Sequence, residues 1–246
     1  GFRAPTGNPV TPAHPSRAAT LLWLTLFTAT LLWSAHEPRE RFTWVLEVAP
    51  AVIGLAVLAA TYRGFPLTAL SYWLILLHSI VLMIGGHYTY AEVPLFDTIR
   101  DMFGQSRNNF DKAGHFAQGF VPAIICREIV IRFGIIQHKF FIAFFTVCFS
   151  LALSALYELL EWWVALISEE AAEAFLGTQG YVWDTQSDMA LALLGAMGRL
   201  SASAVIYGIA GLGIIAALIS SIASQHWHSG RRRAQDENEA KDEDAA

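Results

Sequence analysis

Apolar runs long enough to cross a bilayer recur along most of this chain, and they restrict it to one class of fold. They are 18–35, 43–62, 69–87, 115–131, 140–168 and 188–224. A hydrocarbon core about 30 Å thick takes roughly 20 apolar residues in a helix. Helices and closed barrels alone satisfy every backbone group in lipid. Runs of this length, without strict alternation, select helices. The expected fold is therefore all-α: a polytopic transmembrane helical bundle with about six spans. Composition agrees. Only 15% of residues are charged, 54% are hydrophobic and the mean hydropathy is +0.43, whereas soluble domains carry roughly 25% charged residues.

The organisation follows from these runs. Residues 1–17 are expected to be a flexible N-terminal arm, 18–224 the bundle and 225–246 a charged, disordered tail. The run after Arg17 is too long for a signal-peptide core and has no clear small-x-small site, so it is expected to be a retained first helix. Pro50 should kink the second helix. Residues 88–110 are expected to form the longest loop. Residues 188–224 fit either one long helix or two short spans turning near Arg199.

Charge distinguishes the topologies. With six spans, Arg3, Arg17, Arg63, Arg132, Lys139 and Arg231 to Arg233 share one side, and 169–187 on the other side holds no Lys or Arg. The positive-inside rule then puts both termini in the cytoplasm. No basic stripe or nucleic-acid motif is present. The expected partners are the lipid bilayer and other membrane subunits, with no nucleic acid. Cys126 and Cys148 both sit in apolar runs and are expected to be small buried hydrophobes.

Polar residues at helix ends are the candidates for chemistry. Asp111, His115 and Gln118 follow at spacings of four and three, so they share one helix face. Asp111 alone would also complement a helix N-terminus. Glu158 and Glu161 share a face late in their helix, beside Trp162 and Trp163. Acids at that end gain nothing from the helix dipole, and close carboxylates repel unless a cation or proton intervenes. Asp184 and Asp188 open the last run, where Thr185 and Asp188 also fit a capping box. The expected topology places all of these, with His87, in one outer layer. Arg127 and Glu128 should lie at the opposite end. Asp111, His115, Glu158, Glu161, Asp184 and Asp188 are thus candidate ligands for a divalent metal ion. The same groups would also suit a proton relay or cation path. A non-catalytic subunit of a larger membrane complex is a third reading. No phosphate loop, nucleophile elbow or His-Glu-x-x-His motif is present.

Three motifs carry a resemblance: Asp111-Lys112-Ala113-Gly114-His115-Phe116, Tyr157-Glu158-Leu159-Leu160-Glu161-Trp162 and the stretch from Gly177 to Asp188. With them, residues 20–205 resemble the YjdF-like family of bacterial inner-membrane proteins, whose function is unknown. The resemblance implies a multi-pass protein of the bacterial inner membrane. A fainter similarity is to VanZ-like membrane proteins, on Asp111, His115, Glu158 and Asp188. This chain has Ala192 where those proteins usually have Asn, and Glu161 where Gln is common.

Overall fold

The computed structural model of the chain describes residues 14–167, 175–176 and 178–198. Seven helices are described: α1 (Arg17–Ala35), α2 (Arg41–Thr61), α3 (Ala69–Tyr88), α4 (Pro94–Phe103), α5 (Phe110–Arg132), α6 (Lys139–Ile167) and α7 (Asp184–Gly198). The described residues hold no strand. The all-helical expectation holds.

Burial is inverted relative to a soluble bundle. Leu21, Leu32, Ile53, Phe140 and Leu166 are exposed, while Ser34, Thr43, Ser71 and Ser79 are buried. An apolar surface around a polar interior suits lipid as the outer solvent. On α6 the buried residues are Thr146, Ser150, Ser154, Glu158 and Glu161. Their spacing of four, four, four and three makes one polar stripe facing the bundle.

Four helices, α1, α2, α3 and α6, are long and apolar enough to cross a membrane. Among the described residues that is four spans rather than the expected six: α5 is too polar to qualify, and the last apolar run is described only in part. The 23-residue α5 carries Asp111, Lys112, Arg127, Glu128 and Arg132. The described part of α7 has 15 residues. The choice between one helix and two after Arg199 lies outside the described residues. So do the tail 225–246 and all of the arm before residue 14.

Local chemistry sets the helix ends. Ser16 caps α1 by accepting from the Ala19 N–H at 3.2 Å. Thr68 caps α3 through the Ser71 N–H. These hydroxyls satisfy amides that the first turn leaves unpaired. The stretch 88–110, expected as a loop, contains α4. Pro94 opens that helix and Gly104, at φ 60°, closes it, the usual placement of these two residues.

The closest packing is between α5 and α7. A Cβ on Gly119 would overlap the Ala192 carbonyl, and one on Gly195 would overlap the Phe116 carbonyl. The two backbones touch because neither glycine has a side chain, as in close helix pairs within membranes. This crossing brings the first turns of α5 and α7 together. The α2–α3 and α5–α6 ends form a separate junction. There Glu128 accepts from the Thr68 N–H at 2.8 Å, the Ser71 hydroxyl at 2.6 Å and the Arg132 guanidinium at 2.8 Å. Arg132 lies 3.7 Å from the Phe65 ring centroid.

Of the two cysteines, Cys126 is buried but Cys148 is exposed. Cys148 stands on the outward side of α6, away from its polar stripe, which corrects the expectation for that residue.

Candidate functional site: a buried charged centre

The first turns of α5 and α7 and the late part of α6 enclose a group of charged side chains. Asp111, Lys112, His115, Glu158, Glu161, Asp184 and Asp188 are all buried, and Lys112 is 0% exposed. All six candidate ligands from the sequence therefore lie in one region.

His115 stands at the middle. Its Nε2 is 3.2 Å from Asp111 Oδ1, and its Nδ1 is 3.0 Å from Gln118 Oε1 and 3.7 Å from Glu158 Oε1. The contacts to Asp111 and Gln118 follow from the four- and three-residue spacings on one helix. Pro122 leaves the Gln118 carbonyl without its usual helical donor.

Lys112 points the other way, into α7. Its ammonium donates to Asp188 Oδ1 at 2.6 Å and to Asp184 Oδ1. Arg107, just before α5, donates to Asp184 at 2.6 Å and to the Thr178 carbonyl at 3.2 Å. Its Nη2 is 3.6 Å from Asp111 Oδ2. Burial opposes the charge of Arg107, but Asp184 and Asp111 outweigh it and raise the pKa. Both cations lie near the Tyr181 ring, at 5.7 and 5.9 Å from its centroid. A buried charge needs such pairing. The capping-box account of Asp188 fails, because Thr185 lies inside α7 and Asp188 binds Lys112.

A second group lies beside His115, toward α2 and α3. Tyr157 donates to Glu47 Oε2 at 2.7 Å. Tyr90 also hydrogen-bonds Glu47; burial, then the Glu47 charge, pushes its phenol well above the ordinary range. These side chains, with His78, His115 and Glu161, line a cavity of about 20 Å³, room for about one water molecule. Tyr90 is brought in by Gly85 and Gly114, where a Cβ would press on its ring.

Sequence reasoning missed Arg107, Glu47, His78 and Tyr90. A charged Glu47 inside the second apolar run was the available signal, since ionisable residues at that depth mark function. His87, expected in the same outer layer, lies at that end of the bundle but outside the charged group. Its Nδ1 is 3.0 Å from the Ser34 carbonyl, and its ring packs on Trp33 and Tyr88. It joins the α1–α2 turn to α3, where the Arg39 N–H also reaches the His87 carbonyl at 3.0 Å. Glu128 lies at the far junction, as expected from its place late in α5.

Comparison with known proteins identifies the family. A family described as predicted membrane protein (DUF2238) matches residues 19–208. The chain belongs to this family. It is 50% identical over 170 residues to the inner membrane protein YjdF of Escherichia coli (strain K12), covering 69% of this chain and 81% of that protein. No solved structure matches. The protein is thus an integral inner-membrane protein with a YjdF-like sequence. The similarity to VanZ-like proteins gains no support. Ala192, where those proteins carry Asn, abuts Gly119 with no exposed surface.

Proposed function

We propose that the charged centre binds a divalent metal ion on Asp111, His115 and Asp188, with Glu158 beside them and Glu161 and Asp184 as supporting acids. One observation carries this reading: a ligand atom from each of Asp111, His115 and Asp188 lies within 4.8 Å of the other two. Two further facts support it. Among the described residues, Asp111 Oδ2 and Glu158 Oε1 are buried and accept no hydrogen bond. Among the described residues the region also holds six buried carboxylates, counting Glu47, against four basic groups, Arg107, Lys112, His78 and His115. Were all six ionised, they would exceed those cations by two charges even with both histidines protonated. Buried carboxylates in excess recruit a cation or protons. Carboxylate and imidazole together suit zinc, manganese or iron.

Lys112 and Arg107 fit as fixed counter-charges. They hold Asp184 and one oxygen of Asp188, which leaves the His115 side of the centre open to an ion. An ion held by Asp111, His115 and Asp188 would supply either structural charge neutralisation or Lewis-acid chemistry for hydrolysis of a group on a lipid-linked substrate. The centre faces outward on the charge-based topology.

A second reading, proton or cation passage, draws on Glu47, Tyr157, Tyr90 and His78. They extend the titratable groups from His115 into the α2–α3 interior. Elemental analysis of the purified protein separates the two readings. The metal reading expects about one metal per chain, lost in Asp111→Ala and kept in Glu47→Gln. A native chain without stoichiometric metal after saturation with zinc, manganese or iron overturns it. Liposome flux that Glu47→Gln abolishes favours passage.

A further inference from the structure

We infer that α4 is a membrane-surface helix whose Leu95, Ile99, Met102 and Phe103 dock into the headgroup–acyl boundary of the leaflet on the side of the charged centre. The inference stands on α4 itself and is independent of the metal reading.

The sequence of α4, PLFDTIRDMF, separates into two faces at 100° per residue. Met102, Leu95, Ile99, Phe103 and Phe96 occupy one continuous arc, and Arg100, Asp97, Asp101, Pro94 and Thr98 occupy the rest. No residue of α4 is buried. Leu95, Met102 and Phe103 are 65%, 72% and 62% exposed. In a soluble protein such a stripe would be a sticky patch.

The position of α4 names its partner. Five residues separate it from the end of α3, a helix apolar enough to span the membrane. The exit of α3 is marked by aromatic contacts: Trp33 is 6.2 Å from Tyr88 and 4.7 Å from His87, between ring centroids. Tryptophan and tyrosine collect where lipid meets water. The helix therefore starts at the membrane boundary with an apolar stripe and a charged face, the composition of a helix lying in that plane.

The remaining contacts orient α4 against the protein. Phe96 meets Phe110 edge-on at 5.2 Å between ring centroids. Asp97 Oδ1 accepts from Asn108 at 3.0 Å and from Arg100 at 2.7 Å. Phe96 and Asp97 tie the helix to the start of α5, and the Leu95–Met102 stripe is left outward. Lipid is the occupant that an outward apolar stripe at this level meets. A second copy of the chain would cover the same residues differently, and the test separates them.

The test uses the full chain in nanodiscs, with single spin labels at positions 95, 102, 98 and 101. The background is Cys126→Ala, Cys148→Ala; if that background fails to purify, the native chain with unlabelled sites serves as the blank. Oxygen partitions into lipid and a nickel chelate into water. The expected result is higher oxygen than nickel accessibility at 95 and 102, and the reverse at 98 and 101. Labels at 95 and 102 that the nickel chelate reaches freely would place the stripe in water and overturn the inference. Labels shielded from both reagents would put a protein there and overturn it equally.

Discussion

Lys112 Nζ lies 2.6 Å from Asp188 Oδ1, and neither residue has more than 3% of its surface exposed. A lysine this deep is held by its partners, and they by it. Removing one member of a buried pair leaves an uncompensated charge and costs about 3–5 kcal/mol. Lys112→Met should therefore destabilise the protein by that order, read as a large drop in unfolding temperature in detergent. Combining it with Asp188→Asn should return part of the loss. The exposed Arg39–Glu92 pair, with side chains 62% and 54% exposed, provides the contrast. Exposed pairs contribute roughly 0–1 kcal/mol, so Arg39→Ala should leave the unfolding temperature nearly unchanged. Equal effects from the two substitutions would refute this account of the centre.

The α5–α7 crossing makes a sharper steric prediction. Gly119 has the Ala192 backbone where its Cβ would go, whereas Gly54 has nothing within 4 Å of that position. Overpacking costs typically about 1–3 kcal/mol, and here the obstacle is backbone, which yields poorly. Gly119→Ala should lower the unfolding temperature and loosen the Lys112–Asp188 contact, because both depend on the same approach of helices. Gly54→Ala should be neutral or slightly stabilising, since glycine is a poor helix former. Thermal unfolding of the two variants side by side decides it.

Much of the centre was legible in the sequence, and the reason is periodicity. Asp111 with His115, and Glu158 with Glu161, sit at spacings that share a helix face, and each pair stands at the same end of its helix. The partners supplied by tertiary packing were not legible. Glu47 lies inside an apolar run, and its contacts with Tyr157 and Tyr90 bring it into the group. Arg107 sits in a polar stretch where a charge needs no explanation, so its bond to Asp184 left no trace in the pattern. His87 shows the converse error: the right depth, but a ring spent on the Ser34 carbonyl. The helix α4 carried its own signals in Pro94 and Gly104. The polar stretch 88–110 nevertheless reads most simply as a loop between spans. The span count differs for a related reason. The charges of the centre sit on α5 itself, so the helix that carries most of the chemistry is among the least apolar.

The junction at Glu128 should be separable from the centre. Its carboxylate serves Thr68, Ser71 and Arg132, all at the opposite end of α5 from His115. About 20 Å of helix lies between Glu128 and His115 at 1.5 Å per residue. Glu128→Ala leaves two hydroxyls and an amide short of an acceptor, at about 1–3 kcal/mol for a buried group left unsatisfied. The expected outcome is lower stability with metal stoichiometry unchanged. Metal loss in this variant, with the fold intact by circular dichroism, would tie the two ends together and contradict the separation.

Orientation in the membrane gives the last prediction. The turns near Gly64 and Gly134 share the end of the bundle that holds Glu128, because Thr68 and Arg132 both contact that residue. The turn at Glu37 and the segment at Leu176 belong to the other end, with the centre. Arg17, Arg63, Arg132 and Lys139 lie at the first end. Arg39, Arg41, Arg100 and Arg107 lie at the second. Three of these second-end arginines are paired with acids, Arg39 with Glu92, Arg100 with Asp97 and Arg107 with Asp184. At the first end Arg132 is paired with Glu128, which leaves Arg17, Arg63 and Lys139 as its freer positive charge, and lysine and arginine favour the cytoplasmic side. Single cysteines at positions 37 and 176 should react with a membrane-impermeant maleimide from the periplasm of cells with a permeabilised outer membrane. Cysteines at 64 and 134 should react only after the inner membrane is opened. The reverse pattern would turn the protein over and put the charged centre on the cytoplasmic side. In that case its substrate or ion would arrive from the cytosol.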